Sequence, residues 1–163
     1  MFILKWLLIG VVVLVLAAIL AGQFGLLQGK MPEDLGLRNG QLKAPSNTNN
    51  SVSSQASLHP NHPMRSKADI AALPMKGDAA ATMARLQAVV AAMPGAQIIK
   101  AEPTYLYAQF TTRLMKYVDD VEFSINEPAQ QISVRSASRL GQEDMNANRD
   151  RVEAIRAKLA SAP

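Results

Sequence analysis

The sequence predicts an α+β fold attached to an N-terminal transmembrane helix. Three features predict it: a long uncharged apolar run at the N-terminus, two amphipathic helical stretches, and four runs of alternating residues between those stretches. The predicted order after the membrane helix is helix, four antiparallel strands, helix, with the two helices on one face of the sheet. We expect three segments: a transmembrane anchor over 1–27, an extended linker over 28–67 and an α+β domain over 68–163.

The N-terminal run is long enough to cross a bilayer. Trp6 to Gly22 is 17 residues without a charge, and apolar residues continue to Leu27. About 20 helical residues cross a hydrocarbon core of roughly 30 Å. A cleaved signal peptide is the alternative, but its apolar region is shorter and ends in a small-x-small site. The sequence favours an uncleaved anchor, with a short cytoplasmic tail and the residues after about 28 on the outer side of the membrane.

Composition excludes several kinds of site. The chain has no cysteine, so disulfides and thiolate chemistry are absent. Its net charge of +4 comes from Lys5 and the linker, because residues 68–163 contain eleven basic and eleven acidic residues. A nucleic-acid binder concentrates cations on its folded face, so we expect no nucleic-acid partner. We also expect no cofactor.

The linker is rich in Asn, Ser and Pro and poor in large apolar residues. This composition favours a flexible tether. The alternative is an extended segment that lies against the domain through Val52, Leu58 and Met64. His59 and His62 are three residues apart, but Pro60 prevents a helix from presenting both and no third ligand lies nearby, so we expect no metal site.

The helices and strands of the domain follow from periodicity. Asp78 is placed to cap a helix that runs to Met93, where Pro94-Gly95 ends it. The last helix begins near Asp144 or Asn146. The predicted apolar stripes are Met83, Leu86, Val90 and Met93 in the first helix and Met145, Val152, Ile155 and Leu159 in the second.

Two of the strands form a hairpin whose register can be predicted. If Ile125 pairs with Ile132, Phe123 lies opposite Val134 and Glu122 lies opposite Arg135. One face then carries an apolar ladder, and the other, facing outward, carries a cross-strand ion pair. In the preceding strand Leu106, Ala108 and Phe110 share the apolar face, while Tyr105 and Tyr107 lie on the other.

A dense set of charges in this region forms the candidate site. One interpretation has paired carboxylates doing acid–base chemistry while arginines hold an anionic substrate. The other is a structural ion network, which we favour because the charges balance, the domain lacks histidine and no nucleophile has a base beside it. We therefore predict no catalytic residue, and any site would lie at the rim formed by Asp119, Asp120 and Arg139. The candidate interaction or structural cluster comprises Asp119, Asp120, Glu122, Arg135, Arg139, Asp144, Arg149 and Arg151.

Several motifs together resemble one protein family. They are Ser51–Ala56 (SVSSQA), Tyr117–Phe123 (YVDDVEF), Val134–Arg139 (VRSASR), Gly141, Asp144, Asn148-Arg149 and Arg151-Val152-Glu153. The chain from about Leu35 to Leu159 resembles domain-of-unknown-function family 1499, which occurs in bacterial envelope and plant plastid proteins. Many members carry two cysteines where this chain has Pro45 and Ser51. The resemblance implies an architecture and an envelope location but no mechanism. Together with the anchor, it leads us to expect a single-pass protein of the bacterial inner membrane with its C-terminal domain in the periplasm.

The sequence is compatible with three functions. We favour an accessory or assembly protein with two partners: the lipid bilayer and a membrane or envelope protein. The alternative is a binder of a hydrophobic or anionic small ligand, such as a lipid or pigment, with its pocket at the Tyr105–Tyr107 face or between helices and sheet. A hydrolytic role would require Asp119, Asp120 or Glu122 in a cleft.

Overall fold

A computed structural model describes residues 2–161 of the chain. It contains one long N-terminal helix, three further helices and six strands, with a 3₁₀ turn at Ala56–Leu58. The helices are α1 (Phe2–Gln23), α2 (Arg65–Ala68), α3 (Ala79–Ala91) and α4 (Ala147–Ser161). The strands are β1 (Ser51–Ser53), β2 (Leu73–Pro74), β3 (Ala96–Ala101), β4 (Tyr105–Thr111), β5 (Val118–Asn126) and β6 (Gln131–Ser138).

The six strands form one antiparallel sheet in the order β1-β6-β5-β4-β3. The short strand β2 also pairs with β6, through Leu73 opposite Ile132, while β1 occupies the other end of the same β6 edge. The α+β class agrees with the prediction, but the predicted four strands are too few. β1 and β2 were missed because strands of three and two residues are too short to show alternation.

The predicted register of the central hairpin is confirmed. Ile125 pairs with Ile132, Phe123 with Val134, and Glu122 with Arg135. Because side chains alternate between the faces of a strand, this register assigns every residue of β5 and β6 to one face or the other.

Helices α3 and α4 pack on the face that carries the apolar ladder. Asp78 caps α3 as predicted, because its Oδ1 accepts a hydrogen bond from the backbone N of Ala81 at 2.7 Å. Met145 was expected in the α4 stripe, but it lies before the helix begins and is 90% exposed. The core on this face includes Leu86, Val90, Leu106, Phe123, Val134, Val152 and Ile155.

The opposite face of the sheet is buried as well, although the alternation had suggested that it faces solvent. Residues 29–46, which we call the strap, cross this face within the predicted linker. Leu42 of the strap is buried against Tyr105 and Tyr107, and Leu35 packs beside them. The flexible-tether interpretation is therefore wrong for the strap and for β1, which are ordered parts of the fold.

The α1 helix differs from the rest of the chain because its apolar side chains are exposed. It has 22 residues, and the mean hydropathy of an 18-residue window within it is 2.9, so its length and composition suit a membrane span, and a signal sequence would fit the same description. Its C-terminal end contacts the loop between β4 and β5. Gln23 Nε2 donates to the Leu114 carbonyl at 2.9 Å, and Gly22 lies so close to the Met115 backbone that no Cβ would fit.

Replacing Val52 with alanine tests whether the linker region belongs to the folding unit. Val52 is 4% exposed within the main core, whereas nearby Leu58 is 50% exposed. We expect Val52→Ala to lower the free energy of unfolding by about 2 kcal/mol, because it removes buried methyl groups. The matched Leu58→Ala should change it by less than about 0.5 kcal/mol. Equal effects of the two variants in urea unfolding would contradict the assignment of β1 to the core.

Candidate functional site

Adjacent carboxylates of the predicted cluster lie on opposite faces of the sheet. Asp119 is opposite Phe110 and Ser138, so it lies on the face that packs against the helices. Asp120 is opposite Gln109 and points to the strap side. The eight candidate residues therefore do not converge on one site. They divide into a strap-side group, a helix-side group and residues that hold a connecting segment.

Asp120 and Arg139 form the best-aligned ion pair of the strap side. Arg139 Nε lies 2.9 Å from Asp120 Oδ2, and Arg139 Nη2 lies 2.7 Å from Oδ1. The Tyr107 hydroxyl donates to the same Oδ1 at 2.5 Å. Asp120 is 1% exposed, so this two-point contact is shielded from water. The hydrogen bonds from Arg139 to Asp120 raise the pKa of the Arg139 guanidinium.

Glu122 lies further along the same face and is fully buried. Its Oε1 accepts hydrogen bonds from the Tyr105 hydroxyl at 2.8 Å and from the Gly36 backbone N of the strap at 2.7 Å. Its Oε2 is 3.7 Å from Arg135 Nη1 and accepts no hydrogen bond from residues 2–161. Arg135 Nε in turn donates to the Ala44 carbonyl of the strap at 3.1 Å. Glu122 and Arg135 therefore attach the strap to the sheet.

Burial and neighbouring carboxylates keep both tyrosines of this face protonated. Burial, together with the adjacent Glu122, raises the pKa of Tyr105 well above the usual range. Burial and the hydrogen bond to Asp120 raise the pKa of Tyr107 to about 12. Both hydroxyls act as hydrogen-bond donors. The pocket expected at the Tyr105–Tyr107 face is absent from the described structure, because the strap fills that space.

Asp119 and Arg151 form the ion pair of the helix side. The guanidinium of Arg151 lies over the Phe110 ring, 4.8 Å from its centroid. Arg151 Nη1 also donates to Asn148 Oδ1 at 2.7 Å and to Ser136 Oγ at 3.0 Å. These contacts join the first two turns of α4 to the ends of β5 and β6.

Asn148 is the most connected side chain of this group, and it is completely buried. Its Oδ1 accepts from Ser136 Oγ at 2.5 Å as well as from Arg151. Its Nδ2 is 3.0 Å from the Asn50 carbonyl and 2.7 Å from Asp144 Oδ2. In the sequence Asn148 stood out only as part of a family motif and as a candidate helix cap. The capping role belongs to Asp144, whose Oδ2 accepts from the Asn148 backbone N at 2.9 Å.

Arg149 takes no part in either ion-pair group. Its Nη2 donates to the carbonyls of Lys67 and Asp69 at 2.8 and 2.9 Å. Arg156 makes equivalent contacts with the carbonyls of Ala71 and Ala72, each at 2.7 Å. Two arginines of α4 thus hold the segment that leads into β2.

The predicted rim site is closed to solvent. Asp119 and Asp120 are buried, and the side chain of Arg139 is nearly so. Each carboxylate already contacts a guanidinium, so an anionic substrate would have to displace an existing partner. Among residues 2–161 no group of three potential metal ligands occurs. The arrangement is suited to holding two covering layers against one sheet.

An open cavity of about 790 Å³ lies elsewhere, at one end of the sheet. It is bounded by the turn between α3 and β3, the end of β4 and the first half of α4. Phe110 and Met93 give it apolar walls, while Arg113, Lys116 and Asp150 add charge. Sequence reasoning had allowed a pocket between helices and sheet but could not name its residues, because its walls come from segments that are distant in the chain.

One protein family matches most of this domain. The sequence profile of a family described as a protein of unknown function, DUF1499, covers residues 41–159. The chain belongs to the DUF1499 family. A comparison with curated proteins gives no match. The matched range includes β1 and the last six residues of the strap, and it begins after the Leu35 at which the resemblance was expected to start. It also includes Pro45 at the end of the strap and Ser51 at the start of β1, and the Ser46 backbone N donates to Ser51 Oγ at 2.8 Å.

The two buried tyrosines predict how stability depends on alkaline pH. A raised pKa means that the unfolded chain loses these phenolic protons first, near the ordinary value of 10.0. The stability contributed by the neutral hydroxyls is therefore complete below pH 10 and is lost as the pH rises towards 12. We expect the free energy of unfolding, measured in urea, to fall over this interval.

Phenylalanine variants separate this effect from general alkaline unfolding. Tyr107→Phe should lower stability at neutral pH by roughly 1–3 kcal/mol, because Asp120 loses a hydrogen bond, and should flatten the alkaline decline. Tyr117→Phe is the matched control, because Tyr117 is exposed at the surface. The same alkaline decline in Tyr107→Phe and wild type would contradict the assignment.

Proposed function

We propose that this protein is a membrane-anchored, non-catalytic accessory or assembly protein of the bacterial inner membrane. Its α+β domain lies in the periplasm and docks on a membrane or envelope protein. The proposal rests on one contrast. The charged side chains of the candidate site are paired with other groups of the domain, whereas the whole apolar helix α1 is exposed.

The length of α1 and its contacts support an uncleaved anchor. A helix of 22 residues is about 33 Å long, enough for a hydrocarbon core of roughly 30 Å. Gly22 and Gln23 pack on the loop between β4 and β5. Cleavage at the end of the apolar run would remove these contacts, whereas an intact anchor keeps them.

The state of the carboxylates supports a non-catalytic role. A general acid or base must come within hydrogen-bond reach of its substrate. Asp119, Asp120 and Glu122 are instead buried and point to internal partners.

Site-specific crosslinking in native membranes tests the accessory function. A photo-crosslinking residue is placed in the full-length protein at Ile99 on β3, at Leu58 beside β1 or at Ala129 in the turn between β5 and β6. A docked partner should give one crosslinked product of defined mass from one position and little from the other two. Equal labelling from all three would indicate random collision. A lone monomer in all three cases, with no crosslinked protein, would overturn the proposal.

The open cavity favours a second candidate function, the binding of a small hydrophobic or anionic ligand. Its apolar walls and two cations suit a molecule with an apolar body and a negative group. Mass spectrometry of the denatured full-length protein should then find a small molecule at about equal molar amount. Ala154→Phe, which fills the cavity, should lose it. Without such a molecule in the wild type, this candidate fails.

A further inference from the structure

Exposed apolar side chains outside α1 concentrate at one end of the domain. This end comprises the residues just after α1, the loop between β4 and β5, and the connection between β6 and α4. Of the ten large apolar residues exposed beyond α1, six lie in these three segments. They are Phe24, Leu26, Leu114, Tyr117, Leu140 and Met145. We call this end the docking surface.

The end of α1 lies directly against this surface. Gln23 Nε2 donates to the Leu114 carbonyl at 2.9 Å, and Gly22 contacts the Met115 backbone. Leu114 itself is 61% exposed. If α1 crosses a membrane, these contacts hold the loop at the level where the helix leaves the bilayer, which is where partly apolar side chains lie in the headgroup region.

The charges of the loop suit an anionic lipid surface. Arg113 and Lys116 flank Leu114 and Met115, and residues 111–118 contain no acidic residue. Neither cation forms an ion pair with a residue in the range 2–161. The connection between β6 and α4 contributes two acidic side chains to the same surface, and both contact other groups of the domain: Asp144 caps α4, and Glu143 accepts a hydrogen bond from Asn49. Asp150 of α4 lines the cavity. Basic side chains next to a span attract anionic headgroups.

We propose that the docking surface lies on the bilayer, with Leu114 and Tyr117 in the headgroup region and Arg113 and Lys116 on anionic phospholipid headgroups. This inference rests on the proposed anchorage by α1. It adds an orientation: β5 stands away from the membrane, and the turn at its far end, which contains Ala129, lies about 30 Å from the loop. That distal end is the one left open to a protein partner.

Spin labels on single cysteines test the proposal, because the chain has no native cysteine. The full-length protein is labelled at Val12 in α1, at Leu114 or at Ala129, and is reconstituted in phosphatidylcholine vesicles with or without phosphatidylglycerol. Accessibility to oxygen and to a water-soluble nickel complex then gives the depth of each label. We expect Val12 in the hydrocarbon core, Leu114 at the interface and Ala129 in water, with Leu114 deeper when the anionic lipid is present.

The depths of the labels distinguish failure of the docking-surface proposal from failure of the anchorage by α1. A Leu114 label as exposed to nickel as the Ala129 label, with Val12 still in the core, would overturn the docking surface and leave the anchorage intact. A Val12 label in water would overturn both.

Charge reversal tests the headgroup contacts. In anionic vesicles a Leu114 label exchanges between the interface, where the domain is docked, and water. Arg113→Glu combined with Lys116→Glu should lower the ratio of interfacial to water-exposed label roughly tenfold or more. Lys100→Glu combined with Lys158→Glu changes the net charge equally at the opposite end and should leave the ratio unchanged. Both double variants should stay close to the wild-type Tm, since none of the four side chains is buried and the Lys100–Glu102 pair is solvent-exposed, where an ion pair contributes about 1 kcal/mol or less. Equal loss in both would show that net charge alone acts and would overturn the assignment to Arg113 and Lys116.

Discussion

The structure depends on the burial of three carboxylates in its central strand. Asp119, Asp120 and Glu122 lie in β5, which has neighbours on both edges and a covering layer on both faces. A buried carboxylate without a partner would cost several kcal/mol. Each therefore requires a cation or a hydrogen-bond donor from another segment. The partners come from β4, β6, α4 and the strap. Pairing the three carboxylates of β5 therefore brings most of the domain together.

This requirement explains why a segment of linker-like composition is ordered. The strap has few large apolar residues, and Leu35 and Leu42 alone would give a weak attachment. Its backbone supplies what Glu122 and Arg135 need, a donor at Gly36 and an acceptor at Ala44. Composition measures apolar content and cannot register such backbone contacts, so it predicted a tether. The buried charges on the strap side were the available signal, since a face carrying Asp120, Glu122 and Arg135 beside two tyrosines needs a polar cover.

Prediction from sequence worked where a periodic pattern decides the structure. The hairpin register followed from two alternating runs, and Asp78 followed from capping chemistry. The same alternation implies that Asp119 and Asp120 face opposite sides, which divides the apparent cluster into two. The roles of Asn148, Arg149 and the strap depend on contacts between residues more than 80 positions apart. Single-sequence patterns contain no information on those distances. With both faces of the sheet occupied, the surfaces left for function are its ends and edges.

A double-mutant cycle on Asp120 and Arg139 tests most directly the claim that these charges are structural. The variants are Asp120→Asn, Arg139→Met and the combination, each unfolded in urea. Because each single change leaves the other partner buried and unpaired, it should cost about 3–5 kcal/mol, while the combination should cost little more than one change alone. Single variants within about 0.5 kcal/mol of wild type, with additive effects, would contradict the account.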